Sequence, residues 1–124
     1  MIEFSVQLAN EPGQLARVAR QLGNAGVNIQ SLAAMTTGPE GVVKMVVDHD
    51  DDARAVLVHA GLAFTEHRVV RASLDDQPGA LADLADALAG TGVNIEAVYL
   101  IPSDDDRLHF ALAVDDPASA SQHI

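Results

Sequence analysis

Two short segments carry the residues best suited to binding chemistry, "NEPGQL" from Asn10 to Leu15 and "DQPGAL" from Asp76 to Leu81. Proline has no backbone N–H and a fixed φ, so it fits the first position of a helix, where an amide would have no intrahelical partner. Pro12 is therefore expected to open a helix, with the N–H groups of Gly13, Gln14 and Leu15 left free. The bare Gly13 would let a ligand approach the backbone closely. Such a row of donors suits a carboxylate, and Asn10 beside it offers a side-chain oxygen to an ammonium group. Together they complement an α-amino acid. Pro78, Gly79, Ala80 and Leu81, with Asp76 beside them, repeat the arrangement. Pro-Gly before a helix is also ordinary punctuation, so the binding reading gains its weight from recurrence.

The recurrence is long. "PGQLARVARQLGNAGVNI" from Pro12 and "PGALADLADALAGTGVNI" from Pro78 align without a gap at an offset of 66 residues, with ten of 18 positions identical. An internal duplication explains this, each copy being one supersecondary unit. Ile2, Phe4, Val6 and Leu8 alternate with polar residues, the period of a strand with one buried face. Leu15, Val18, Ala19 and Leu22, and likewise Leu81, Leu84, Ala85 and Leu88, form an amphipathic helical stripe, which ends at Gly26 or Gly92. Val27 to Met35 reads as a second strand, the segment from Thr36 as its turn, and Val42 to Val47 as a third strand. "DHDDDARAVLVHAG" supplies Asp caps, a short helix and a terminal Gly61, and strand character returns in "LAFTEHRVV".

The order βαββαβ predicts an α+β fold: an antiparallel ferredoxin-like sheet with two helices on one face. Residues 1–68 are expected to form the first unit and 69–124 the second. Asp48 closes the third strand of copy one and Asp115 is its counterpart, but too few residues follow Asp115 for a fourth strand. The second unit is thus expected to lack its last strand, its edge covered by another strand or a partner chain. In each unit Asn10 (or Asp76) and the Asn of "GVNI", Asn28 or Asn94 with Ile29 or Ile95 after it, fall at opposite ends. A twofold axis would bring the Asn10 loop of one unit against the Asn28 strand of another and close a pocket. Asn28 also reads as a turn-stabilising amide.

With "NEPGQLARVARQLGNAGVNI" and "DQPGALADLADALAGTGVNI" in a βαββαβ setting, the chain resembles the ACT domain, a small regulatory module of amino-acid metabolism, in tandem, free-standing form. The resemblance covers nearly the whole chain. It implies a non-catalytic protein whose paired units bind a small effector, usually an amino acid, at the interface between them. The polar loop residue and the "GVNI" Asn would both face that effector. Some members carry a His two residues before the loop Asn; here that position is Leu8 or Leu74.

Composition bounds the alternatives. Seven basic against 18 acidic residues give a net charge of −11, which repels phosphate backbones and anionic headgroups, so neither nucleic acid nor membrane is an expected partner. Absence of cysteine excludes a disulfide framework, a thiolate zinc site and a cysteine nucleophile. No signal segment or membrane-length apolar run is visible, and a soluble cytoplasmic protein is the simplest reading. Asp48–Asp52 and Asp104–Asp106 lack calcium-loop spacing, and the histidines show no ligand spacing, so no metal or cofactor is expected. Two other readings stay open: a structural oligomerisation module without ligand, and an enzyme on a ferredoxin-like scaffold. Leu62 to Asp75 must serve as the fourth strand of one unit and the first of the next, leaving no linker. Pairing both second strands within one chain would have to span roughly 29 Å, six strand spacings of about 4.8 Å. The ligand-closing interface is therefore expected between chains, in a homodimer or larger, with a target enzyme or regulator as a further partner.

Overall fold

A computed structural model describes residues 1–124. Strand β1, Ile2–Ala9, buries Phe4, Val6 and Leu8 as its alternation requires. Helix α1, Gln14–Asn24, follows, then β2, Ile29–Thr37, and β3, Glu40–Val47. Helix α2 covers Asp50–His59, and β4 runs from Phe64 to Leu74. The second copy continues with α3, Ala80–Ala89, β5, Ile95–Ile101, β6, Leu108–Val114, and a single turn and a half, α4, Pro117–Ser121.

The chain divides into two compact units, Ile2–His67 and Arg68–Ile124, the latter with Met1. In the first, the strand order is β2-β3-β1-β4, antiparallel at β2–β3 and β1–β3. In the second it is β4-β6-β5, also antiparallel. The order is thus βαββαβ followed by the same without its final strand, and no strand follows α4. One eleven-residue strand, β4, supplies the last strand of the first copy and the first strand of the second.

Each unit has its own core. Phe4, Val6, Leu8, Val43, Met45 and Val47 of the first sheet pack against Val18 and Leu22 of α1 and Ala53 and Leu57 of α2. Val70, Ala72, Leu112 and Val114 pack against Leu84 and Leu88 of α3 and Ala120 of α4. Each fully buried Val, Leu, Phe or Met side chain contributes about 1.5–3 kcal/mol. Leu15 and Leu81, expected on the buried stripe, are 39% and 48% exposed instead, each in the first turn of its helix.

Two boundaries differ from the sequence expectation for a definite reason. Val27 N donates to Leu22 O and Gly26 N to Gly23 O, with Gly26 at φ +77. This is the Schellman closure, and Val27 tucks back against Leu22 in the core. Val93, Gly92 and Leu88 repeat it. The residue after the glycine therefore ends the helix rather than starting the strand, and β2 begins at Ile29. The β2–β3 turn is also tighter than expected, Thr37 facing Glu40 across Gly38 and Pro39. Glycine at φ +65 in the first turn position fits a type II′ hairpin. Finally, α2 is preceded by His49 with no side-chain cap bond. The aspartates expected as caps, Asp50, Asp51 and Asp52, occupy its first turn and complement the helix dipole there.

Candidate functional site

The Pro-Gly pair is built differently from the expected helix opening. Gln14 N donates to Glu11 O at 3.4 Å, and Gly13 has φ +87 and ψ −8. Those values, with proline at the second position and glycine at the third, define a type II β-turn over Glu11–Gln14. Pro12 thus lies two residues ahead of α1, and Gly13 is the capping residue, its carbonyl accepting from Arg17 N at 3.0 Å. Gln77–Ala80 repeats the turn: Ala80 N donates to Gln77 O at 3.3 Å, and Gly79 has φ +89 and ψ −14. Gly13 and Gly79 are required because an L side chain in this conformation is strained.

This geometry corrects the donor set. The amide of Gln14, like that of Ala80, closes the turn, whereas those of Gly13 and Leu15, and of Gly79 and Leu81, have no hydrogen-bond partner in the chain. Neither helix has a side-chain cap bond. Both N-termini therefore present unsatisfied N–H groups beside an exposed leucine, an arrangement that can receive an anion.

Asn10 is fixed from the neighbouring hairpin. Its N–H donates to Pro39 O at 2.9 Å and its Nδ2 to Gly38 O at 2.8 Å. That commits one of the two side-chain N–H groups to the protein and leaves Oδ1 without a donor in the chain. A small cavity of about 110 Å³ opens here, lined by Leu8, Asn10, Gln14, Leu15, Met35 and Thr36 among others. Met35 and Thr36 come from β2 and were not legible as site residues in the sequence. In the second unit Asp76 makes no hydrogen bond. Its neighbour Asp75 is held by Arg107 Nη1, while Arg107 Nε donates to Ser73 Oγ at 2.7 Å and Nη2 to Ser73 O at 3.1 Å. The two loops are therefore anchored by unlike means.

Asn28 and Asn94 are far from these loops. β3 runs between Glu40, opposite Ala9, and Val47, opposite Ile29, a separation of roughly 24 Å at about 3.4 Å per residue. Asn94 and Asp76 are likewise divided by β6. Neither pair is brought together within a unit. Each asparagine is instead clamped by an aspartate: Asn28 N donates to Asp48 Oδ1 at 2.8 Å and Asp48 N to Asn28 O at 3.1 Å. Asn94 and Asp115 repeat this at 2.9 and 3.1 Å. Strand pairing slips directly afterwards, between Ile29 and Ser31 and between Ile95 and Ala97. The carboxamides of Asn28 and Asn94 make no bond within the chain and are exposed. Accepting the Asn28 N–H holds the Asp48 carboxyl below its ordinary value, and His49 Nδ1, 3.0 Å away, acts in the same direction. Asp48 and Asp115 were missed as site residues; their matching places after the third strand of each copy were the available signal.

The chain belongs to the ACT domain family: residues 68–124 match the ACT domain and residues 4–60 the AHAS small subunit-like ACT domain. It is a tandem ACT domain protein with two ferredoxin-like units. No curated protein matches it by sequence. Among solved structures, a protein from Bacteroides thetaiotaomicron is similar with a TM-score of 0.87 and 24% identity, over 98% of this chain and 83% of that one. The ligand-free regulatory subunit of aspartate kinase from Thermus thermophilus has a TM-score of 0.71 and 18% identity, over 98% and 88% of the two chains. The corresponding subunit from Thermus flavus has a TM-score of 0.63 and 17% identity, over 98% and 86%. No helix is long and apolar enough to cross a membrane.

Proposed function

We propose that this protein is a non-catalytic regulatory module that binds a free amino acid at its Pro-Gly turns and transmits occupancy to a partner protein or enzyme. The observation carrying the proposal is the twice-built type II turn with unsatisfied N–H groups at Gly13 and Leu15, and at Gly79 and Leu81. The ligand carboxylate is received by these amides, and its ammonium by Asn10 Oδ1 in one copy and the Asp76 carboxylate in the other. Leu15 and Leu81 border the ligand side chain. Asn28 and Asn94, with Ile29 and Ile95, complete the pocket from a partner chain, so the working unit is a homodimer or larger. Effector binding then favours one conformer or assembly by its difference in affinity for the two. The likeness in fold to regulatory subunits of aspartate kinase supports a regulatory rather than a catalytic reading.

The test is a panel of the twenty free L-amino acids at millimolar concentration, followed by thermal unfolding and by titration calorimetry. At least one should raise the melting temperature and give a saturable heat, because a ligand that binds only the folded state stabilises it. A flat response in both measurements would leave a structural module without ligand.

A further inference from the structure

The first unit has a second concavity, on its helical layer and away from the Pro-Gly turn. Asp52, Ala55, Val56 and His59 form one stripe of α2 at helical spacing, and Gln21, Asn24 and Ala25 at the end of α1 face it across a groove of about 420 Å³. That volume is in the range of small-molecule sites. The floor is apolar, but four polar side chains rim it, and none makes a hydrogen bond within the chain. Gln21 Oε1 is fully buried there without a donor, and buried polar atoms in folded proteins are ordinarily paired.

We infer that this groove binds a small organic ammonium ion, an aliphatic primary amine whose hydrocarbon lies on Ala25, Ala55 and Val56. Charge selects the class. Asp52 is the one carboxylate on the rim, and Gln21 and Asn24 add side-chain oxygens with no donor in the chain. The one basic group on the rim is His59. Arg54, the arginine of α2, is directed elsewhere by Glu66 at 2.6 and 2.9 Å and Asp51 at 2.7 Å. An anion would meet no free cation here, and a neutral molecule would leave Asp52 unused. The duplicate shows that the feature is not a requirement of the fold: the residues aligned with Gln21, Asn24 and Asp52 are Ala87, Gly90 and Ser119.

The experiment is an amide-detected NMR titration with n-butylamine hydrochloride at about pH 8, where the amine is charged, with n-butanol, sodium butyrate and ammonium chloride as controls at fixed ionic strength. The expected result is saturable movement of the Gln21 and Asn24 side-chain amides and of Ala55 and His59. Binding of n-butanol should be about tenfold weaker, and butyrate should not bind. Asp52→Asn should weaken the amine about tenfold, the loss of one charge-assisted bond, and so should Gln21→Met. Gln21→Met should melt no lower than the parent, since it removes an unpaired buried acceptor. Equal binding of n-butanol, an equal response to ammonium chloride, indifference to both substitutions, or protection of the groove by self-association without ligand would each overturn the proposal.

Discussion

At the scale of single residues, the conformations of Gly13 and Gly79 can be separated from their contacts. A Cβ added at either would meet nothing within 4 Å, so alanine there is penalised by backbone strain alone. Gly13→Ala and Gly79→Ala are each expected to cost about 1–2 kcal/mol, read by urea denaturation, and to weaken any ligand held by the neighbouring amides. An unchanged midpoint would mean that the turn relaxes to another type. Asp48 makes a second case. Its folded carboxyl is shifted down, chiefly by the Asn28 N–H, so the clamp contributes stability above the unfolded value of 3.8 and loses it as pH falls through the folded value. Carboxyl-carbon NMR should find Asp48 titrating below that value, and Asp48→Ala should bring the Asn28 amide into fast hydrogen exchange. The same sign holds for Asp105, pushed down to about 2 chiefly by the Ser103 hydroxyl and then by the Arg107 N–H, with His109 assisting.

At the scale of elements, the short helix α4 depends on its cap. Asp116 accepts from Ser119 N at 3.0 Å and Pro117 stands at the first position. A helix this short has little cooperativity of its own. Asp116→Ala is expected to cost about 1 kcal/mol and to loosen Ala120, which is fully buried in the second core. A denaturation series on this variant checks the value, and loss of exchange protection confined to α4 checks the place. In the first unit the strand face dominates instead. Phe4 is fully buried, with its ring 6.1 Å from that of Phe64, and Phe4→Ala is expected to cost about 3–5 kcal/mol.

At the scale of the whole molecule, the two copies are predicted to be unequal. Asn10 is neutral and anchored through Gly38 and Pro39, whereas Asp76 carries a charge and no hydrogen bond near the place a ligand carboxylate would occupy. The helix N-terminus offsets that charge by about 0.3–1 kcal/mol. Asn10→Ala should therefore cost more affinity for a neutral amino acid than Asp76→Ala, and Asp76→Asn should improve the weaker site. Calorimetry on the three variants decides it; loss of all binding in Asp76→Ala alone would reverse the assignment. Sedimentation at micromolar concentration should find a species larger than the 13.0 kDa chain.

Periodicity and repetition made the duplication, the six strands, the paired stripes and the shared strand β4 legible in the sequence, because these follow from which face of each element is apolar. The chemistry of Pro12 was not legible, since proline suits both the first residue of a helix and the second position of a type II turn. What separates them is the bond from Gln14 N to Glu11 O and the positive φ of Gly13. The sequence starts the second strand at Val27, whereas the Schellman closure uses that residue to end the helix. The pairing of Asn28 with Asp48 and of Asn94 with Asp115 joins residues 20 and 21 apart. The groove between Gln21 and Asp52 exists only where two helices pack. Local preference determines which elements form, but a contact between distant residues is decided by how the sheet sets their spacing, and only the tertiary structure carries that.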